Sequence, residues 1–333
     1  MADADAKRYW IGFDLGGTKM LSKVFDDNFQ SLGKERTKTK GHEGKEAGLA
    51  RISKTIRKAL DEAEVDASQL AGIGVGCPGP LDLDQGVIHD APNLGWKEVA
   101  LKKHLEDDFG CGAFIMNDVD AGVYGEYRFG AAQGTRTAVG VFPGTGIGGG
   151  CVYEGKILRG NNTSCMEIGH VQVAPEGPLC GCGRRGCLEA VASRLVIASR
   201  SAAAAYRGQA PHLLKEVGTD VSEIRSGAIA ASIAAGDKPV ETIVREAALH
   251  IGRAVAGVVH LLAPDVVVLG GGLVEAMTDL FVKEVRGAAE KRVLPSYVGT
   301  FEVVAAELGD DAAVMGAAAW AQHQIDISTP VAS

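Results

Sequence analysis

Apolar and polar positions along the chain change period several times, and each change marks an element. Arg8 to Leu15 is apolar and aromatic and runs into Gly16-Gly17, which predicts a strand ending in a tight turn. Met20 to Phe25 and Gly33 to Thr39 read as two further strands. From Glu43 to Glu64 the spacing becomes helical, with Leu49, Ile52, Ile56 and Leu60 on one face. Gly72 to Gly76 is a short apolar strand stopped by Cys77-Pro78-Gly79-Pro80. A helix is expected over Trp96 to Phe109, a strand over Ala113 to Met116, and a helix over Val119 to Phe129. The pattern then restarts, with strands at Arg136 to Phe142 and Gly148 to Tyr153 on either side of a glycine-rich turn. A polar, Gly- and Cys-rich insertion covers Gly155 to Gly186. Helices are predicted over Glu189 to Tyr206, Ser226 to Ala235, Pro239 to Leu262, Thr278 to Lys291 and Ala312 to His323. Strands are predicted at Asp265 to Leu269 and near Phe301 to Ala305, and Ile325 to Ser333 reads as a disordered tail.

Each half of the chain thus opens on a strand, a Gly-Thr turn and a return strand, then alternates helices and strands. Such alternation predicts an α/β fold with largely parallel sheets. Two similar halves predict a duplicated domain with a ligand in the cleft between them.

Composition narrows the chemistry. The 333 residues carry a formal net charge of −8 and no basic block, which argues against a nucleic-acid partner. Met1 to Lys7 is polar, without the apolar stretch of a secretory signal. Ala247 to Ala263 is interrupted by His250, Arg253 and His260 and reads as a core helix, so no membrane span is expected. Seven cysteines without an export signal point to a reducing, cytoplasmic compartment.

The glycine turns suit phosphate. In Asp14-Leu15-Gly16-Gly17-Thr18-Lys19 the glycines let backbone amides approach a polyphosphate, Thr18 adds a donor, and Asp14 can hold Mg²⁺. A plain hairpin turn with a surface Asp is the competing reading. The spacing is not that of a Walker A loop. Phe142 to Gly150 holds a second such turn, Gly144-Thr145-Gly146, with five glycines in the seven residues from Gly144. Asn117-Asp118 ends a strand, where open α/β sheets bind ligands. Phosphoryl transfer to an alcohol needs a carboxylate within reach of the attacking hydroxyl, and Asp118 suits that role by location. Its alternative is to cap the following helix.

His170 with Cys180, Cys182 and Cys187 forms a complete Cys₃His set, with Gly181, Gly183 and Gly186 interleaved. Scattered thiols or a redox pair are the alternatives. Four protein ligands leave no open coordination position, so a bound Zn²⁺ would be structural.

Taken together, these motifs resemble the ROK family of sugar kinases and repressors, within the actin-like, hexokinase-like ATPase group. The resemblance runs from about Tyr9 to about Trp320 and rests on Asp-x-Gly-Gly-Thr-Lys, Gly-Thr-Gly-Ile-Gly-Gly-Gly, Glu-Ile-Gly-His and Cys-x-Cys-Gly-x-x-Gly-Cys-Leu-Glu in order. It implies two actin-like (ribonuclease H-like) domains, residues 1–117 with a returning segment 310–333, and residues 118–309 with the zinc loop. It implies Asp118 as the base that takes the sugar proton. Asn93, Asn117, Glu167, His170 and Glu189 become ligands of sugar hydroxyls, and the backbone of Gly79 lines their pocket. Asp14, Gly16, Gly17, Thr18 and Lys19, with Gly144, Thr145 and Gly146, become the phosphate-binding set for ATP and Mg²⁺, and Gly270-Gly271-Gly272 lies beside the adenine. His170 would serve both zinc and sugar, so the ion would fix the loop that presents Glu167. One departure is Met166, where the family usually has a small residue, often Gly. A homodimer is the resemblance's default assembly.

Three functions compete. The first is a hexose kinase acting on glucose, or on N-acetylglucosamine, N-acetylmannosamine, mannose, fructose or allose. The second is a sugar-responsive repressor, which would carry a DNA-binding domain ahead of the Asp14 motif, where only thirteen residues stand. The third is a zinc-dependent binding protein without kinase activity, against which Asp118 and both glycine turns speak.

Overall fold

The alternation of hairpins and crossovers seen in the sequence becomes two mixed sheets. The structure is a computed structural model that describes residues 8–328 apart from Pro92 and Asn162. In chain order the strands are β1 (Tyr9–Leu15), β2 (Lys19–Phe25), β3 (Ser31–Lys38), β4 (Leu70–Cys77), β5 (Leu81–Asp82), β6 (Val87–Ala91), β7 (Trp96–Ala100), β8 (Gly112–Asn117), β9 (Thr137–Pro143), β10 (Ile147–Tyr153), β11 (Lys156–Ile157), β12 (Val266–Leu269) and β13 (Glu302–Ala305). The helices are α1 (Lys45–Ala63), α2 (Leu101–Phe109), α3 (Asp118–Phe129), α4 (Leu188–Ala192), α5 (Arg194–Tyr206), α6 (Pro211–Val217), α7 (Ser226–Ala234), α8 (Lys238–Leu262), α9 (Gly272–Ala276), α10 (Thr278–Glu290) and α11 (Ala312–Ser328).

The chain forms two units. The first takes the residues through Gln133, Lys156–Cys165 and the segment from Asp310 on. Its main sheet has the order β3-β2-β1-β4-β8, with β1–β2 antiparallel and β1, β4 and β8 parallel. The second takes Gly134–Gly155 and Met166–Gly309. Its strands run β10-β9-β12-β13, with an antiparallel β9–β10 hairpin and parallel β9, β12 and β13. Each unit therefore repeats one plan, a hairpin followed by two parallel strands.

Burial explains most of these elements. Ile52, Ile56 and Leu60 turn the apolar face of α1 inward, while Leu49 is only partly covered. Val266, Val267, Val268 and Leu269 of β12 are all buried, as befits a central parallel strand. On the other face of the first sheet, α11 lies so close that a Cβ on Gly12 would fall 1.9 Å from the Val314 carbonyl oxygen, and one on Gly74 1.8 Å from that of Ala317. Among the described residues no helix is long and apolar enough to cross a membrane.

Four expectations are corrected. Trp96–Ala100 is a strand and α2 begins only at Leu101. Trp96 pairs with Ala91 and Val99 with Ile88 in a small β5-β6-β7 sheet, and the buried indole fills the space above Gly48. Tertiary packing here overrides a helical pattern. The helix expected over Glu189 to Tyr206 breaks at Ser193, whose extended backbone and hydroxyl cap α5 by accepting from Val196 N–H. Pro211 opens α6 in a stretch given no element, at a first-turn position that proline tolerates. Ile325 to Ser328, expected to be disordered, complete α11, while residues 329–333 lie outside the described residues.

Candidate active site

In the first unit the parallel register aligns three strand ends, with Asp14 opposite Gly76 and Cys77 opposite Asn117. Asn117 caps α3, its Oδ1 accepting from Val119 N–H at 2.8 Å and Asp120 N–H at 3.4 Å. The cap that the sequence allowed for Asp118 thus belongs to its neighbour. Asp118 occupies the first helical position, and its Oδ1 accepts from its own helix at Val119 N–H, 3.0 Å. Burial, then the negative charges of Asp118 and Asp310, push Asp14 up to about 7, with Arg36 opposing. Two carboxylates that repel each other in a sheltered place are a donor set suited to a divalent cation.

The β1–β2 turn lies beside them. Gly17 and Thr18 are exposed, and Thr39 pins the turn by donating its hydroxyl to the Gly16 carbonyl at 2.7 Å and its N–H to Thr18 O at 2.9 Å. A Cβ on Gly17 would sit 3.2 Å from Cβ of Asn93, so the structure brings the turn and Asn93 together. Lys19 opens β2 and is exposed. Gly79 is partly exposed two residues beyond β4, joined to Pro80 by a cis peptide bond.

The second unit repeats the turn as Gly144-Thr145-Gly146, closed by Gly144 N–H to Gly146 O at 2.8 Å. Glu189, in the first turn of α4, lies against it. One carboxylate oxygen accepts from Ile147 N–H at 3.1 Å, and a Cβ on Gly146 would fall 2.3 Å from that same oxygen. The other lies 3.8 Å from Cys180 Sγ. Arg194, which the sequence reading passed over, donates its N–H to Gly144 O at 2.9 Å and its guanidinium to Thr145 Oγ1 at 3.0 Å. Nothing in the sequence marked it, because the helix expected from Glu189 to Tyr206 placed Arg194 in its interior. Gly270 to Gly272 follow β12 and adjoin the same hairpin: a Cβ on Gly270 would strike the Phe142 ring at 2.2 Å, and one on Gly271 would approach Pro143 O at 3.1 Å.

Glu167 and His170 are exposed on a short segment packed over β10, where a Cβ on Gly149 would meet Met166 O at 2.4 Å. Met166 has φ +61°, in the left-handed region where a side chain costs energy and glycine does not. The glycine that the resemblance leads one to expect at this position would carry no such cost.

His170, Cys180, Cys182 and Cys187 do converge, their candidate ligand atoms all within 4.8 Å of one another. Cys180 Sγ lies 3.7 Å from His170 Nδ1 and Cys182 Sγ 3.7 Å from Cys187 Sγ. Sulfurs about 2.3 Å from a shared zinc stand about 3.8 Å apart at the corners of a tetrahedron, so the spacing fits. The loop holds its shape through Cys180 N–H to Arg184 O at 2.7 Å and Gly186 N–H to Pro178 O at 2.9 Å. Gly183 and Gly186 have φ of +84° and +73°, and a Cβ on Gly186 would overlap Ala174 O at 1.6 Å. Gly181 meets neither constraint.

Comparison with known proteins completes the picture. The ROK family matches residues 10–324. The chain belongs to the ROK family. It is 36% identical over 316 residues to a glucokinase of Thermotoga maritima, covering 95% of this chain and 98% of that one. The crystal structure of a ROK family glucokinase from Streptomyces griseus, in complex with glucose and AMPPNP, superposes with a TM-score of 0.81 at 30% identity, over 95% of this chain and 99% of that one. A ROK hexokinase from Thermus thermophilus gives a TM-score of 0.80 at 32% identity, over 96% and 99%. The mixed sheets of this ROK chain are those of the actin-like sugar kinases.

Proposed function

We propose that this chain is an ATP-dependent glucokinase that transfers the γ-phosphoryl group to the 6-hydroxyl of glucose, with Asp118 as general base. The observation that carries the reading is the placement of Asp118, at the C-terminal end of β8 beside Asp14, with the capping duty taken by Asn117. Glucokinase relatives spanning nearly the whole chain support the same reading.

Asp118 takes the hydroxyl proton as the oxygen attacks phosphorus, the leaving oxygen departs with ADP, and the phosphoryl charge falls to the backbone amides of the glycine turns. Gly16, Gly17, Thr18 and Lys19, with Gly144, Thr145 and Gly146, are the proposed phosphate ligands, and Gly270 to Gly272 the neighbours of the adenine. Mg²⁺, when bound at Asp14, supplies charge neutralisation at the phosphates. Asn93 and the amide of Asn117 are proposed sugar ligands on the first unit, near the Gly79 backbone. Glu167, His170 and Glu189 are proposed on the second. Zn²⁺ held by His170, Cys180, Cys182 and Cys187 supplies structure only, because its four ligands fill its shell. A cytoplasmic homodimer completes the proposal, its assembly open to light scattering.

Asp118→Asn should lower kcat by about 10³-fold while glucose binding by calorimetry stays measurable. Near-parental turnover would remove Asp118 from the role. A phosphorylation screen over glucose, mannose, fructose, N-acetylglucosamine and N-acetylmannosamine tests the sugar, and a better substrate than glucose would correct it.

A further inference from the structure

Arg194 stands where the fold would otherwise avoid a cation. It is the first residue of α5, and a positive side chain there opposes the helix dipole. Among the described residues it has no carboxylate partner, whereas Arg136, Arg200 and Arg245 of the same unit are ion-paired. Yet it is held on the Gly144-Thr145-Gly146 turn twice, by backbone and by guanidinium. The bond to Thr145 uses one of five guanidinium donors and occupies a lone pair of the Thr145 oxygen. That leaves the Thr145 hydroxyl proton for a further acceptor. Guanidinium and hydroxyl together make a donor pair of the kind that oxyanions of phosphate accept.

We infer that Arg194 is a nucleotide-phosphate ligand of this chain, acting with Thr145 on the triphosphate oxygens. The inference rests on the kinase reading and adds to it a charged group outside the glycine motifs.

The test uses the full-length enzyme and four variants, Arg194→Ala, Arg194→Lys, Thr145→Val and the double variant Thr145→Val/Arg194→Ala. Arg194→Ala should raise KM for ATP about tenfold, with KM for glucose within about twofold of the parent and the melting temperature unchanged; Arg194→Lys should recover part of the loss, since lysine keeps charge but not the fork. Calorimetry with a non-hydrolysable ATP analogue, ADP and adenosine should show the Ala defect shrinking as phosphates are removed and absent for adenosine. Unchanged analogue affinity in Arg194→Ala, or an equal loss for adenosine, overturns the inference. So does the double variant if it binds the analogue no more weakly than Thr145→Val alone, which would leave Arg194 only a support for Thr145. If the parent phosphorylates no hexose, it is the kinase reading that fails.

Discussion

Asp14 shows how one partly buried carboxylate ties stability to function. Its folded pKa, raised to about 7 from 3.8, means that ionisation is easier in the unfolded chain. Stability from this group is therefore complete below about pH 4 and is lost as pH rises through about 7. Asp14→Asn removes the charge, so in magnesium-free buffer at about pH 8 the variant should resist urea better than the parent, by on the order of 2 kcal/mol, and the gap should close near pH 4. The same variant should lose most of its activity. A variant less stable than the parent at high pH would refute the charge argument. The Asp14 motif was readable as a phosphate turn, but its repulsion by Asp118, over a hundred residues away, was not. Met166 is the converse case: the departure was visible in the sequence, and only its φ of +61° gave the reason.

At the scale of elements, the Cys₃His loop was the most legible part of the chain. Cysteine spacing and glycines specify a local wrap, and local chemistry needs no distant partner. His170 completes it from beyond the cysteine run, held near by Leu188 N–H to Val171 O at 2.9 Å. The loop also adjoins the second glycine turn through Glu189, between Cys180 and Ile147. Purified protein should contain about one zinc per chain, and if free zinc stands about a thousandfold above Kd, its removal should cost about 4 kcal/mol of stability. Metal analysis and chelator-dependent melting measure both. Folded, active protein without zinc would dismiss the ion. The small β5-β6-β7 sheet was the least legible element, because Trp96 to Phe109 carries one apolar spacing that serves a strand and then a helix.

Over the whole molecule, duplication was readable because each half repeats a hairpin and a crossover. The return of the C-terminal helix to the first sheet was implied only by resemblance, and it depends on glycines that no periodicity marks. A Cβ on Gly316 would lie 1.8 Å from Ala121 O, and one on Gly125 2.2 Å from Ala312 O, so α3 and α11 meet backbone to backbone. Gly316→Ala should therefore destabilise the fold by about 1–3 kcal/mol through overpacking, despite alanine's better helix propensity. Chemical denaturation measures it, and a stabilised variant would show that the helices part without cost.

The sequence by itself determined the α/β alternation, the two glycine turns, the Cys₃His cluster and the family, because these rest on spacing within short stretches. Tertiary structure decided that Asn117 rather than Asp118 caps α3, that Trp96 begins a strand, that Asp14 and Asp118 share one field, and that Arg194 sits on the second turn. Each of those depends on groups that approach through space from separate elements, and distances of that kind are not written in the period of a single segment.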